Sequence, residues 1–229
     1  MPSLTLFDLD HTLVALDTNQ AWVAFLIELG ALDGRRYARQ ARKMQARYQQ
    51  AQGGIDWGFC EFFMKTLTAL PRDELERVLI RFVDERVRPC IPSSCLELVQ
   101  VHRERGEALA IITATNRFIT EPVAELFNIS TLIATEPEVR EGNFTGRISG
   151  TPSMREGKIT RLDAWLATGA LEGALRRSDL SKLRFYSDSI NDLPLLELAT
   201  EPIAVNPDER LATIARARQW PVLYLSRCA

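Results

Sequence analysis

The feature that most constrains the fold is a short apolar run, Ser3-Leu4-Thr5-Leu6-Phe7, that gives way abruptly to Asp8-Leu9-Asp10-His11-Thr12. Its length and composition predict a buried strand, and the sudden polarity predicts a loop at the carboxyl end. From about Thr18 to Val87 there is no strand candidate, and the spacing of apolar residues is helical. Leu75, Val78, Leu79, Phe82 and Val83 fall on one face of a helix that begins after Pro71. Asp73 and Glu74 occupy its first turn, where negative charge suits the helix dipole. The chain therefore commits to a strand, leaves for a helical insertion of about 70 residues, and returns.

After Pro89 and Pro92 the pattern alternates. A helix over Ser94 to Arg105, stopped by Gly106, precedes the strand Ala108 to Ile112. A helix near Phe118 to Phe127 leads to the strand Thr131 to Ala134. A hairpin over Glu138 to Ile148 turns at Glu141-Gly142-Asn143. A helix covers Lys158 to Ala167, and Leu183 to Tyr186 is a further core strand, followed by a helix from Asn191. Pro202 to Val205 and Val222 to Leu225 are later strands, and Asn206-Pro207 predicts a helix start with Asn as cap. Alternation of this kind implies an α/β fold, with a mainly parallel sheet covered by helices on both faces. An insertion leaving after the first strand must sit over the carboxyl edge of that sheet, where open α/β sheets bind ligands.

Asp8 and Asp10, two apart at a strand end, bring two like charges to one side if the extended geometry persists. Convergent carboxylates hold a proton or a cation, and hard oxygen ligands favour magnesium. The plainer alternative is a strand stop at Asp8 and a turn between Asp10 and Thr12. A second acidic strand end, Ser187-Asp188-Ser189-Ile190-Asn191-Asp192, tips the balance toward a site. There Asn191 also reads as a cap and Asp192 as a first-turn acid. Thr113 ends another strand, with the amides of Ala114, Thr115 and Asn116 suited to a phosphate. Lys158 can bring a positive charge to the same edge, with Arg155 and Arg161 as competitors for that role.

These segments, in this order, resemble the haloacid dehalogenase superfamily of phosphohydrolases, and the resemblance covers nearly the whole chain. The motifs are Phe7-Asp8-Leu9-Asp10-His11-Thr12-Leu13, Thr113, Lys158, and Ser187-Asp188-Ser189-Ile190-Asn191-Asp192. The position of the insertion is similar to the phosphoserine phosphatase-like subfamily. Ile111 to Phe118, Thr135-Glu136 and Tyr186 to Leu196 look like a bacterial branch described as histidinol-phosphate phosphatases. The resemblance implies a doubly wound, three-layer Rossmann-like core from residues 1–16 and 89–229, and an α-helical C1-type cap from residues 17–88. It implies hinges near Leu16 to Thr18 and Val87 to Ile91.

The same resemblance implies a phosphomonoesterase in which Asp8 attacks phosphorus to give an aspartyl-phosphate. Asp10 would protonate the leaving oxygen and then activate water. Thr113 and Lys158 would hold the transferring oxygens, with Ala114 beside them. Magnesium would be held by Asp8, the Asp10 carbonyl and Asp188, while Asn191 and Asp192 orient the phosphate and Lys158. The departures concern the fourth motif and the cap. Ser187 stands where the family usually has Gly. Asp17 matches an acid of phosphoserine phosphatases, but Phe63 falls where their carboxylate-binding Arg is expected, with Lys65 and Arg72 as possible substitutes. The cap thus suits a phosphorylated amino alcohol such as histidinol phosphate, with Asp17 pairing a cation and Trp22, Trp57 or Phe59 touching a ring. For each aromatic the alternative is cap packing. Phosphoserine phosphatase, broad small-molecule phosphatase, phosphotransferase and catalytically idle ligand-binding readings are the competitors.

Composition narrows the field further. A formal charge of -2 across 229 residues gives no global attraction to nucleic acid or anionic membranes. Arg35, Arg36, Arg39, Arg42, Lys43 and Arg47 form a basic run that reads as a solvated helix face, with Tyr37, Ala41, Met44 and Tyr48 inward. No apolar stretch is long enough to span a membrane, and Met1 to Leu6 lacks the pattern of a signal peptide. Four Cys without a C-x-x-C pair, and only His11 and His102, argue against structural zinc. The expected setting is the cytoplasm and the expected partner a small phosphorylated metabolite. Oligomeric state is not written in the pattern.

Overall fold

The computed structural model describes residues 2–50, 54–171 and 173–225. Cys228 lies outside them, as do the side chains of Arg47 and Tyr48. The chain opens with β1 (Ser3–Phe7), as its apolar run predicts. Leu4 and Leu6 enter one core and Phe7 the other, the alternation that an extended chain buried on both faces must show. The segment before the next strand is helical: α1 (Thr18–Glu28), α2 (Gly34–Gln50), α3 (Trp57–Met64) and α4 (Arg72–Phe82). Wider and tighter turns at Val83–Val87 and Arg88–Cys90 bring the chain back. There follow α5 (Ser93–Glu104), β2 (Ala108–Asn116), α6 (Arg117–Leu126), β3 (Thr131–Arg140), β4 (Asn143–Ser149) and α7 (Glu156–Ala167). The chain closes with β5 (Lys182–Ser187), α8 (Leu193–Leu196), β6 (Glu201–Val205), α9 (Glu209–Ala217) and β7 (Val222–Leu223).

The strands form one sheet in the order β4-β3-β2-β1-β5-β6-β7, parallel except for the β3–β4 hairpin. β1 is central, hydrogen-bonded to β2 on one side and β5 on the other. Chain order therefore reverses at β1, and the carboxyl ends of β1, β2 and β5 meet at the point where such sheets bind ligands. One buried cluster packs Phe7, Val99, Ile119 and Val123 together with insertion residues such as Phe25 and Phe82. The other packs Leu4, Leu6, Leu162, Leu195 and Leu211 beneath α7, α8 and α9. Between β1, α5 and β5 lies a buried polar knot. Glu107 accepts from Thr5 at 2.5 Å and Arg184 at 2.7 Å, and lies 2.8 Å from His102 Nδ1. The other His102 nitrogen lies 2.8 Å from the Tyr186 hydroxyl. Every member has a partner, as buried polar groups must.

The expected helix within the insertion holds: α4 begins after Pro71 and buries Leu75, Val78, Leu79 and Phe82. On α2 the basic residues from Arg35 to Lys43 are exposed while Tyr37, Ala41 and Met44 are half-buried, a solvated face. Beside β3, which runs on to Arg140 past the expected end at Ala134, and β7, which stops at Leu223 rather than Leu225, three boundaries differ. β2 runs on through Asn116, with its register against β3 shifting after Ile112, so the Thr113 to Asn116 stretch is irregular strand rather than a turn. Asp208, not Asn206, caps α9, accepting from the amides of Arg210 and Leu211. Asn206 has φ +43 and instead pins the chain at Leu225 through both ends of its amide. The helix expected from Asn191 is a tight turn over Ile190–Asp192 followed by the single-turn α8.

Among the described residues no helix is long and apolar enough to cross a membrane. One glycine fixes how α7 approaches the rest: a Cβ on Gly157 would lie 2.0 Å from the Pro152 carbonyl oxygen and 3.1 Å from Ile55 Cδ1. Gly157→Ala must displace backbone at the start of α7, an overpacking that costs about 1–3 kcal/mol. A thermal melt should show a lowered Tm with native circular dichroism; an unchanged Tm would contradict a close packing of α7 on Pro152.

Candidate active site

The first residue beyond β1 is Asp8, whose amide donates to the Tyr186 carbonyl at 2.9 Å and so continues the sheet. Its carboxylate receives Lys158 Nζ at 2.7 Å, and the same ammonium donates to Asp192 at 2.7 Å. Lys158 is 2 % exposed, so this is a buried cation held between two acids. Lys158 reaches it from the first turn of α7, and Asp192 from the turn after β5. Those two ion pairs, with their hydrogen bonds, hold the Lys158 ammonium above its ordinary pKa against the opposing effect of burial. Asp192 is fixed further by Ser187, whose hydroxyl donates to it at 2.7 Å. The serine at that position is thus a working hydrogen-bond donor rather than a neutral replacement of glycine.

Asp10 lies apart from this triad. One of its oxygens accepts from the Thr18 amide at 3.0 Å and hydroxyl at 2.6 Å, the other from Thr115 at 2.8 Å. Thr18 opens α1, so the insertion itself positions this carboxyl. Burial, and then the charge of Asp17, push the Asp10 pKa up to about 7. Burial likewise raises Asp8 to about 6 and Asp188 to about 8, with the charge of Asp8 the next contributor at Asp188. Asp188 accepts from the Thr12 hydroxyl at 3.3 Å, and Thr12 in turn accepts from the Asp188 amide at 3.1 Å. His11 turns the loop between them at φ +58 and its side chain is exposed.

Asp8, Asp10, His11, Lys158, Asp188 and Asp192 line one cavity of about 280 Å³, together with Thr113, Ala114, Thr115, Met154, Arg155, Ser189 and Asn191 from the core. Asp17, Asn19, Phe59 and Phe63 close it from the insertion. Asp17 also caps α1, accepting from the amide and side chain of Gln20. The structure thus brings together Asp8, Asp10, Asp17, Thr113, Ala114, Lys158, Asp188, Asn191 and Asp192. It does not bring in the two tryptophans. Trp22 is fully buried in edge contact with Phe82 and Phe118, because its face of α1 packs on α4 and α6. Trp57 is 48 % exposed at the start of α3 and off the cavity wall. Phe59 and Phe63, further along α3, face the site instead. Arg72 pairs with Glu76 and lies over the Phe144 ring, and Lys65 is exposed, so neither substitutes for an arginine at Phe63.

Sequence spacing overlooked Thr18, Thr115 and Ser187 as supports of the acids, whereas Arg155, expected as a competitor for the role of Lys158, lies on the cavity wall. Thr115 lies 105 residues from Asp10 in the chain, whereas Thr18 and Ser187 lie only 8 and 5 residues from Asp10 and Asp192. Arg161, the other competitor for Lys158, is committed to Glu136 at 2.9 Å. Among the described residues no three His, Cys, Asp or Glu side chains converge on one point as a metal cluster. Two mutually repelling carboxylates, Asp8 and Asp188, offer oxygen donors of the kind that suits a hard divalent cation keeping several waters.

The family model for haloacid dehalogenase-like hydrolases matches residues 5–197. A histidinol-phosphatase of Neisseria meningitidis is 41 % identical over 224 residues, covering 97 % of this chain and 99 % of its own. An inhibition of morphological differentiation protein of Streptomyces azureus is 30 % identical, covering 96 % and 78 %. A crystal structure of a Bordetella pertussis protein of unknown function superposes with a TM-score of 0.88 at 40 % identity, covering 97 % and 99 %. A substrate-bound phosphoserine phosphatase superposes with a TM-score of 0.62 at 16 % identity, covering 99 % and 94 %, a likeness of fold.

The raised carboxyls set a stability profile. Native Asp10 and Asp188 hold protons that the unfolded chain, with a carboxyl pKa near 3.8, has released. Stability of the metal-free protein therefore falls as pH rises from about 4 and levels off above about 8, with the stretch from about 6.5 to about 8 reporting these two acids. In that window His102, lowered by burial, is neutral when native and adds little. Melting curves in EDTA should show Tm dropping across this range, and millimolar magnesium should flatten the drop; a level EDTA profile would contradict the assignment of buried, repelling acids. The sequence match and the site geometry agree: the chain belongs to the haloacid dehalogenase-like hydrolase family.

Proposed function

We propose that this hydrolase is a magnesium-dependent phosphomonoesterase acting on a small phosphorylated amino alcohol, with histidinol phosphate as its substrate. The observation that carries the reaction class is the placement of Asp8 and Asp10. One carboxylate is held against a buried ammonium at the cavity floor, and the other is anchored separately with its pKa raised to about 7. That separation suits a nucleophile and a general acid in one site.

An Asp8 oxygen forms a bond to phosphorus while the bond to the leaving oxygen breaks, and Asp10 gives that oxygen its proton. Asp10 then takes a proton from water as the water oxygen bonds to phosphorus and the bond to Asp8 breaks. Lys158, with Thr113 and the Ala114 amide, stabilises charge on the transferring oxygens. Asp192 and Ser187 hold Lys158 in place. Asp8, Asp188 and the Asp10 carbonyl would hold magnesium, which when bound supplies neutralising charge for the phosphate and the converged acids. Residues 17–88 act as the cap, limiting water in the cavity.

The substrate assignment rests on the cap wall and on the relative from Neisseria meningitidis. Phe63 and Phe59 offer a ring surface, and Asp17 offers a charge for a cation. With Phe63 in place of arginine, an α-carboxylate lacks a bidentate partner on the cap. In a phosphate-release assay, histidinol phosphate should exceed both phosphoserine and p-nitrophenyl phosphate in kcat/KM. Turnover of histidinol phosphate no faster than p-nitrophenyl phosphate would sink the substrate. Asp8→Asn should lose at least about a thousandfold in kcat with an unchanged fold, and EDTA should abolish activity until magnesium is restored. Full activity in Asp8→Asn would sink the mechanism.

A further inference from the structure

The scheme above leaves one charged side chain of the cavity wall without a task. Arg155 stands just ahead of α7 with φ +53 and ψ −123. That conformation suits glycine and strains any residue with a Cβ. Its side chain spans two parts of the molecule. Nη1 donates to the carbonyl of Gly54, in the insertion, at 2.7 Å. Nε donates to Asn191 Oδ1 at 3.3 Å, in the turn that also carries Asp192. Both Arg155 and Asn191 line the cavity that contains Asp8.

The segment that carries Arg155 into α7 touches the insertion twice more. Met154, also a wall residue, has its sulfur 3.6 Å from Cys60 Sγ on α3. Gly157 leaves no room for a side chain beside Ile55. The insertion is joined covalently to the core at a different place, where the Ala15 amide donates to the Cys90 carbonyl at 2.8 Å and the outgoing and returning chains run side by side. Beside its chain connections, its packing on the core and the Thr18 contact to Asp10, the insertion is thus also held by the Met154-Arg155 turn.

We propose that Arg155 is a latch that holds the cap closed over the loaded site. The geometry couples closing to loading, because the guanidinium that grips Gly54 also forms cavity wall beside Asn191. An oxyanion entering the cavity meets a cation already aimed by the closed cap, and its charge favours the arrangement in which that cation is held there. The backbone strain is explained by the same task. The chain must point this side chain back toward the insertion and, three residues later, deliver Lys158 to Asp8. Arg155 is therefore a positioning residue; it transfers no group.

The latch rests on the phosphoryl-transfer reading for the identity of its ligand, and the test separates the two. Amide hydrogen exchange across residues 54–64 is measured in the magnesium-loaded protein with and without orthovanadate, for wild type, Arg155→Gly and Arg155→Ala. Wild type should gain protection on adding vanadate, and both variants should lose that gain. Both should also lose about ten- to a hundredfold in kcat/KM for p-nitrophenyl phosphate. Arg155→Gly should melt above Arg155→Ala, since glycine removes the strain and alanine keeps it. A residue with a purely structural role would lower Tm in both and leave the vanadate response intact.

Vanadate protection and kcat/KM in Arg155→Gly equal to wild type would overturn the latch while leaving the phosphatase reading in place. A wild type that neither turns over p-nitrophenyl phosphate nor responds to vanadate would remove the reading beneath it, and the latch with it.

Discussion

The arrangement depends on one buried cation. Lys158, 2 % exposed, is held at 2.7 Å by both Asp8 and Asp192. Desolvating three charges is costly, and attraction offsets the cost only if all three stay in register. The triad therefore ties together three elements that the chain order keeps far apart: the end of β1, the first turn of α7 and the turn after β5. Those elements flank the central strand because chain order reverses at β1, so topology and electrostatics select the same spot.

Around that fixed point the acids are sorted by their supports. Asp8 and Asp192 share an ammonium, Asp188 leans on Thr12, and Asp10 is held only by hydroxyl and amide donors. Chemically identical side chains thereby acquire different proton affinities within one cavity, which is what division of labour among carboxyls requires. The support for Asp10 from Thr18 comes from the insertion, so this carboxyl is fully held only when α1 is docked.

Much of this was legible in the sequence because it is local or periodic. The strand ending at Asp8, the acidic end of β5 and the helical spacing of Leu75 to Phe82 each occupy consecutive or regularly spaced residues. Part of what escaped depends on partners distant in the chain. Thr115 supports Asp10 across 105 residues and Arg155 reaches Gly54 across 101, separations that carry no pattern. Trp22 and Trp57 show the limit of composition alone: a ring on a helix faces core, cavity or solvent according to helical phase, and Phe59 and Phe63 had the phase that meets the site. Asn206 had good cap chemistry, but Asp208 two residues later bonds the free amides of α9 and also the Ile190 amide, anchoring two turns at once.

The hydrogen bond from Ala15 to Cys90 has an evolutionary consequence. Because the chain leaves and re-enters the core at neighbouring points, the sheet registers almost nothing about the length of what lies between, and loop-closure entropy changes only slowly with that length. Helices there can be lengthened, shortened or exchanged while β1 and β2 keep their pairing. The helical insertion is free to drift at a rate that the sheet holding the buried acids is not.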